Sequence, residues 1–374
     1  MSLTDPLGRT TRYEYDKSGR LVRFTDAKGQ VTAYTYDTSG RISQERYADG
    51  KSTSYIYNDA GDLIEVSDGE FPIQYTYDDF GNLLKIAYPA IQKSIGYTYS
   101  SNGLLSSYID PEGRIFLYGY DNQNNLKEIR LPDGRLIAFA YDSKGRPKST
   151  SYPNGVTKRS EFNAEDQITA IAYTNTAGIT LAGWEYLYDE NNNLKEITCS
   201  DGRKFSFAYD AAGRLISEKG RTRTINYSYL PGGSRSKKET KENTLKYSYD
   251  IADQILTAGN QKFFHDANGN LMGRSGQAGT TQYVYDARNF LVRAVKPDGS
   301  EISFGYSPTG ERIWREDKNG RVWFITDGEN LLAELDRNLK VKNAYLHGPG
   351  IDQPLMMIRA VSYTHLRAHE TKAN

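Results

Sequence analysis

The chain is 374 residues long and carries 47 basic and 47 acidic side chains, so its formal net charge is zero. That balance speaks against a large electropositive footprint for nucleic acid or an anionic membrane. A single cysteine, Cys199, excludes an intrachain disulfide framework or a cysteine-based metal cluster.

The start, Met1-Ser2-Leu3-Thr4-Asp5-Pro6, has no apolar core of a signal peptide. No later run approaches the ~20 apolar residues of a membrane span. With 12% aromatics, 30 tyrosines among them, and no net charge, the chain does not read as disordered.

A repeat begins at once. Tyr15-Asp16-Lys17-Ser18-Gly19-Arg20-Leu21 returns as Tyr36-Asp37-Thr38-Ser39-Gly40-Arg41-Ile42. It returns again at Tyr77, Asp78 and Gly81, at Tyr141, Asp142 and Gly145, and at Tyr209, Asp210 and Gly213. Fifteen units follow one another from Gly19 to Gly310 with a mean spacing of about 21 residues, and the glycine column holds only Gly, Asn or Asp. Those residues visit the left-handed backbone region at least cost. The Asp after the tyrosine suits the first position of a turn, where its carboxylate reaches backbone N–H groups two residues on. The signature therefore predicts a hairpin built on a type I turn closed by a left-handed residue.

A second turn falls in mid-repeat, as at Asp26-Ala27-Lys28-Gly29, Asp110-Pro111-Glu112-Gly113 and Pro297-Asp298-Gly299. Two turns in about 21 residues leave two strands of roughly six to seven residues, an ordinary length. Aromatic-x-aromatic pairs such as Tyr13/Tyr15, Tyr34/Tyr36 and Phe304/Tyr306 precede the first turn in 13 of 15 units, and Leu or Ile opens the next strand in 12 of 15, so a strand reading outweighs a helical one. The expected fold is all-β: tandem hairpins forming an open, spiralling single-layer sheet.

The Y-D-x-x-G-R-L unit resembles the YD repeat of the RHS family, bacterial RHS and wall-associated proteins related to the teneurins. Thr4-Asp5-Pro6-Leu7-Gly8-Arg9 and Asp327-Gly328-Glu329-Asn330-Leu331-Leu332 are phrases typical of such proteins. Tyr345-Leu346-His347-Gly348-Pro349-Gly350-Ile351-Asp352-Gln353-Pro354-Leu355 resembles the entry to the RHS-associated core segment. The resemblance implies a repeat array over 1–345, the start of the core segment over 345–359, and a separate tail over 360–374. Val361-Ser362-Tyr363-Thr364-His365-Leu366-Arg367-Ala368-His369 resembles a translated sequencing adapter, so that tail is expected to be non-native or disordered. A chain that starts and stops within an array is expected to leave open sheet edges and to self-associate.

By the same resemblance the function is structural. It implies a stretch of shell, secreted or cell-wall associated in a bacterium, that encapsulates a C-terminal toxin. The partners are then the rest of the same polypeptide, core plug and cargo, with neither nucleic acid nor membrane span. The alternative is an exported surface protein whose tyrosines bind glycans or another cell. A choline- or glucan-binding solenoid would use more than the three tryptophans present. The family's D-P-x-G cleavage motif has no match beyond the core entry, and Asp110-Pro111-Glu112-Gly113 reads as a plain turn.

No constellation points to chemistry, cofactor or metal. Asp266-Ala267-Asn268-Gly269-Asn270 begins like a calcium loop, but Leu271 and Gln277 stand where such a loop needs Gly and Glu. His265 and His347 are far apart in sequence, and His265 fills an aromatic slot. Cys199 reads as an inert strand cysteine, and the basic stretch Lys219–Lys246 as a solvated or lumen-facing strand surface, with a site for an anionic partner as the alternative.

Overall fold

Alternating aromatic positions bounded by glycine turns leave the chain little choice but hairpins. The computed structural model describes residues 1–348, 353–359 and 362–364, and in it 36 strands and one short 3-10 turn, Pro89–Ile91, make up the regular structure. Within the strands Thr10–Tyr15 and Leu21–Thr25, Tyr13 lies opposite Phe24; a bulge then brings Tyr15 opposite Leu21. The same bulge precedes Tyr36, Tyr57, Tyr77, Tyr141 and Tyr209. An extra residue at each of these points increases the local twist of the ribbon.

The chain divides into two compact units. One joins Met1–Ile115 to the chain from Gln261 on, and the other is Phe116–Asn260. Within each unit, successive strands pair antiparallel, as in Leu63–Ser67 with Ile73–Tyr77 or Leu194–Cys199 with Lys204–Tyr209. In the first unit the fully buried side chains include Val66, Ile95, Ile325, Leu335, Leu346 and Met356. In the second, Ile129 and Ile137 face each other across two strands and are both fully buried.

Strand Ser362–Thr364 pairs with Pro354–Arg359. Residues 349–352 of the expected core entry, and 360–361 and 365–374 of the expected tail, lie outside the described residues.

Candidate functional site

The signature residues build one device, repeated along the chain. Gly19, Gly40, Gly81, Gly145 and Gly213 have φ between 74° and 82° and each donates its N–H to the carbonyl of the turn's Asp. Asn124, Asn192 and Asn289 take the same left-handed conformation. The Asp carboxylate serves two masters. One oxygen of Asp37 accepts the N–H groups of Ser39 and Arg41, and the other accepts Arg41 Nε at 2.7 Å. Asp16, Asp142 and Asp210 repeat the pattern with Arg20, Arg146 and Arg214. Asp78 repeats it with the amide of Asn82.

These donors hold the carboxyls below the ordinary carboxylate range. Backbone N–H donation from the residue after the glycine leads at Asp16, Asp37 and Asp210. The side-chain bond leads at Asp78 and Asp142.

Each arginine also reaches into the next repeat. The Arg20 guanidinium lies 4.7 Å over the Tyr36 ring, Arg41 4.5 Å over Tyr57, Arg146 4.6 Å over Phe162 and Arg214 4.9 Å over Tyr229. Arg146 Nη1 further donates to the Asn163 carbonyl at 3.2 Å. Tyrosine answers in the reverse direction. Tyr36 OH donates to the Leu21 carbonyl, Tyr57 to Ile42, Tyr77 to Leu63, Tyr141 to Leu126 and Tyr209 to Leu194. His347 Nε2 meets the Leu331 carbonyl in the same place at 2.7 Å. Tyr15, in the first of these units, is half exposed.

The sequence pattern showed the turn and the arginine after it, but not where the arginine goes. The signal was present: an aromatic ring stands 15 or 16 residues after each of these four arginines.

The first unit adds a seam between its early and late stretches. Asp26, only 6% exposed, accepts Asn268 Nδ2 at 2.6 Å. Lys28 Nζ approaches Asp266 at 3.3 Å, and Asn268 and Asn270 both donate to the Asn289 amide oxygen. The Asp266 carboxylate thus points at N–H donors and an ammonium, which is the opposite of a calcium ligand set. Farther along the seam, Tyr88 OH bonds the Thr326 carbonyl and the Phe71 ring stacks on Trp323 at 6.0 Å. Within the first unit, stretches more than 200 residues apart in sequence thus meet side chain to side chain.

A cleft of about 570 Å³ opens beside this seam, and Asp49, Asp68, Glu70, Arg288, Trp314 and Arg321 are among its lining residues. Its rings are already engaged. Arg321 lies 4.1 Å over Trp314 and 5.3 Å over Trp323. Trp314 presses on Gly305 so closely that a Cβ there would sit 2.0 Å from Nε1. Asp68 spends one carboxylate oxygen on the Glu70 and Phe71 N–H groups. Among the described residues, no group of three or more His, Cys, Asp or Glu is placed to hold a metal ion.

The remaining candidates from the sequence fall into packing or ion pairs. Cys199 is buried and unoxidised, and Asp110 binds its own turn and Arg114. In the basic stretch, Lys237 pairs with Glu239, Arg223 with Glu218, and Arg235 covers the Tyr227 ring.

The repeats that carry this latch also match known families. The teneurin YD-shell model matches residues 49–233 and 201–325, and the RHS repeat model matches 1–23 and 15–53. The chain belongs to the teneurin YD-shell family. Two curated proteins that this chain resembles are named for nuclease activity. The tRNA3(Ser)-specific nuclease WapA of Bacillus spizizenii and the tRNA nuclease WapA of Bacillus subtilis are each 27% identical over 166 residues. That match covers 43% of this chain and 6% of either relative.

Among solved structures, the TcdB2-TccC3-Cdc42 crystal structure superposes with a TM-score of 0.65 at 14% identity, over 93% of this chain and 24% of the other. The Photorhabdus luminescens Tc holotoxin pore with the TccC3-D651A mutation gives 0.64 at 14% identity, over 91% and 23%. At that identity the likeness is one of fold: the YD-shell family member described here has the fold of a structural repeat shell.

Proposed function

We propose that this chain is a stretch of wall in an RHS shell that encloses a C-terminal toxin carried on the same polypeptide, and that it performs no chemistry itself. The observation that carries this reading is the latch. The same Asp, Arg and Tyr groups that could have formed a site are spent, at two turns in each unit, on holding one hairpin to the next. On this reading 1–345 is the array, 345–359 opens the core segment, and the fifteen signature residues named above are structural. The polypeptide is a secreted or surface-associated bacterial protein whose partners are its own core plug and cargo. The nuclease activity named for the two relatives is not assigned to this stretch.

The glycan-binding alternative needs ring faces free for sugars. Tyr36, Tyr57, Tyr229 and Trp314 each carry a guanidinium instead.

Protease protection tests the proposal. In the whole polypeptide that carries this stretch, an engineered protease site is placed in the C-terminal cargo, and its cleavage is compared with that of the same site in the cargo alone. Strongly slowed cleavage is expected. Equal rates overturn enclosure, and saturable binding on a glycan array would favour the surface-protein alternative.

A further inference from the structure

Lys158 is a half-buried charged side chain outside both the latch and the ion pairs described above. Lys158 sits in strand Thr157–Phe162 of the second unit, opposite Thr150 on one neighbour and Tyr173 on the other. The same cross-strand row continues to Phe139 and Ala182. The adjacent row on this face runs Ser160, Ile171, Trp184 and Cys199. Tyr173 and Trp184 meet edge to face at 6.2 Å.

The two acids of these strands, Glu161 and Glu185, lie on the other face, in the row through Ala170 and Thr198. Lys158 is therefore a half-buried cation on an aromatic surface without a carboxylate beside it. No hydrogen bond or ion pair meets its ammonium among the described residues. Burial alone holds its amine below the ordinary lysine value.

A half-buried ammonium without a counter-charge costs folding free energy in the isolated chain. We propose that this face, from Phe139 across Lys158 to Trp184, docks an extended acidic peptide, with Lys158 receiving a carboxylate and Tyr173 and Trp184 receiving the apolar side chain beside it. Charge complementarity sets the choice. A single cation among rings matches one carboxylate next to an apolar residue, whereas a nucleic acid would need a row of cations for its phosphates. The surface stands whether or not the shell encloses a toxin, because it rests on the register and the missing counter-ion alone.

Calorimetric titration of the whole chain tests it, with a peptide of alternating leucine and glutamate as probe and its leucine–glutamine counterpart as control. The acidic peptide should bind, and the control roughly tenfold more weakly. Lys158→Met should abolish binding while raising the thermal midpoint, because the uncompensated charge is gone. Lys158→Arg should retain binding. Equal binding of the two peptides, no binding of either, or Lys158→Met binding like the parent would overturn the proposal. So would a lowered midpoint in Lys158→Met, or displacement of the peptide by single-stranded polyuridylate.

Discussion

At the scale of single residues, two glycines separate two kinds of constraint. Gly213 has φ of +74°, and a Cβ there would find only Asn193 Oδ1, at 4.0 Å. Room is ample and backbone strain is the only objection. Gly213→Val is expected to cost more than about 1 kcal/mol in denaturant unfolding, and Gly213→Asn much less, since Asn tolerates the left-handed region.

Gly305 is the reverse case. Its backbone is ordinary, but the Trp314 ring occupies the space of any side chain. Gly305→Ala should displace that indole and lower stability by about 1–3 kcal/mol. Loss of the near-ultraviolet tryptophan signal would accompany it. A left-handed glycine is legible in a repeat because its column admits only Gly, Asn and Asp. Gly305 has no such column, and its reason lies on the neighbouring strand. Tyr57→Phe removes only the hydroxyl bond to the Ile42 carbonyl, 3.0 Å long, and should cost about 1 kcal/mol by the same unfolding measurement.

At the scale of the hairpin, the turn and its partner strand were legible in the sequence because both are local. A two-residue alternation and a five-residue turn fit inside one unit. The arginine latch was not, because its two ends lie in different units and only three-dimensional register brings Arg41 over Tyr57.

The latch makes acid its weak point. The carboxyls of Asp16, Asp37, Asp78, Asp142 and Asp210 bind their protons less tightly in the folded chain than in the unfolded one. Their contribution is therefore complete above the ordinary carboxylate value of about pH 4 and drains away as pH falls through the lowered values. Thermal midpoints taken downward from neutral pH should hold level and then fall steeply below about pH 4. Asp37→Asn should lower the neutral midpoint and lessen that fall. An unchanged acid limb in this variant would mean that the turn carboxylates do not set the acid sensitivity.

At the scale of the molecule, repeats that touch chiefly their neighbours should unfold with near-neighbour cooperativity. Hydrogen exchange after Tyr57→Phe should therefore accelerate in the repeats on either side of Ile42–Tyr57 and leave Phe116–Asn260 unchanged. The seam is the exception to nearest-neighbour rules. Asn268 ties Asp26 to Asn289, so Asn268→Ala should loosen amides near Asp26, more than 200 residues away in sequence, together with those near Asn289. Nothing in the sequence marks this coupling, since Asp26, Asn268 and Asn289 each read as ordinary turn residues. Acceleration confined to the turn at Asn268 would show the seam to be without energetic weight.

The latch also has a direction. At the four latched turns arginine reaches forward to the next unit, and the hydroxyls of Tyr36, Tyr57, Tyr209 and Tyr229 reach back to the previous one. A genetic crossover between the turns at Arg20, Arg41, Arg146 and Arg214 restores an arginine to a ring at the proper distance, whichever of these four copies are joined. Such a gene can lengthen or shorten by whole units of about 21 codons without leaving an unmatched neighbour, whereas a change of half a unit severs the join. The wall is thus open to growth by duplication, and selection can adjust the number of hairpins while leaving each hairpin as it is.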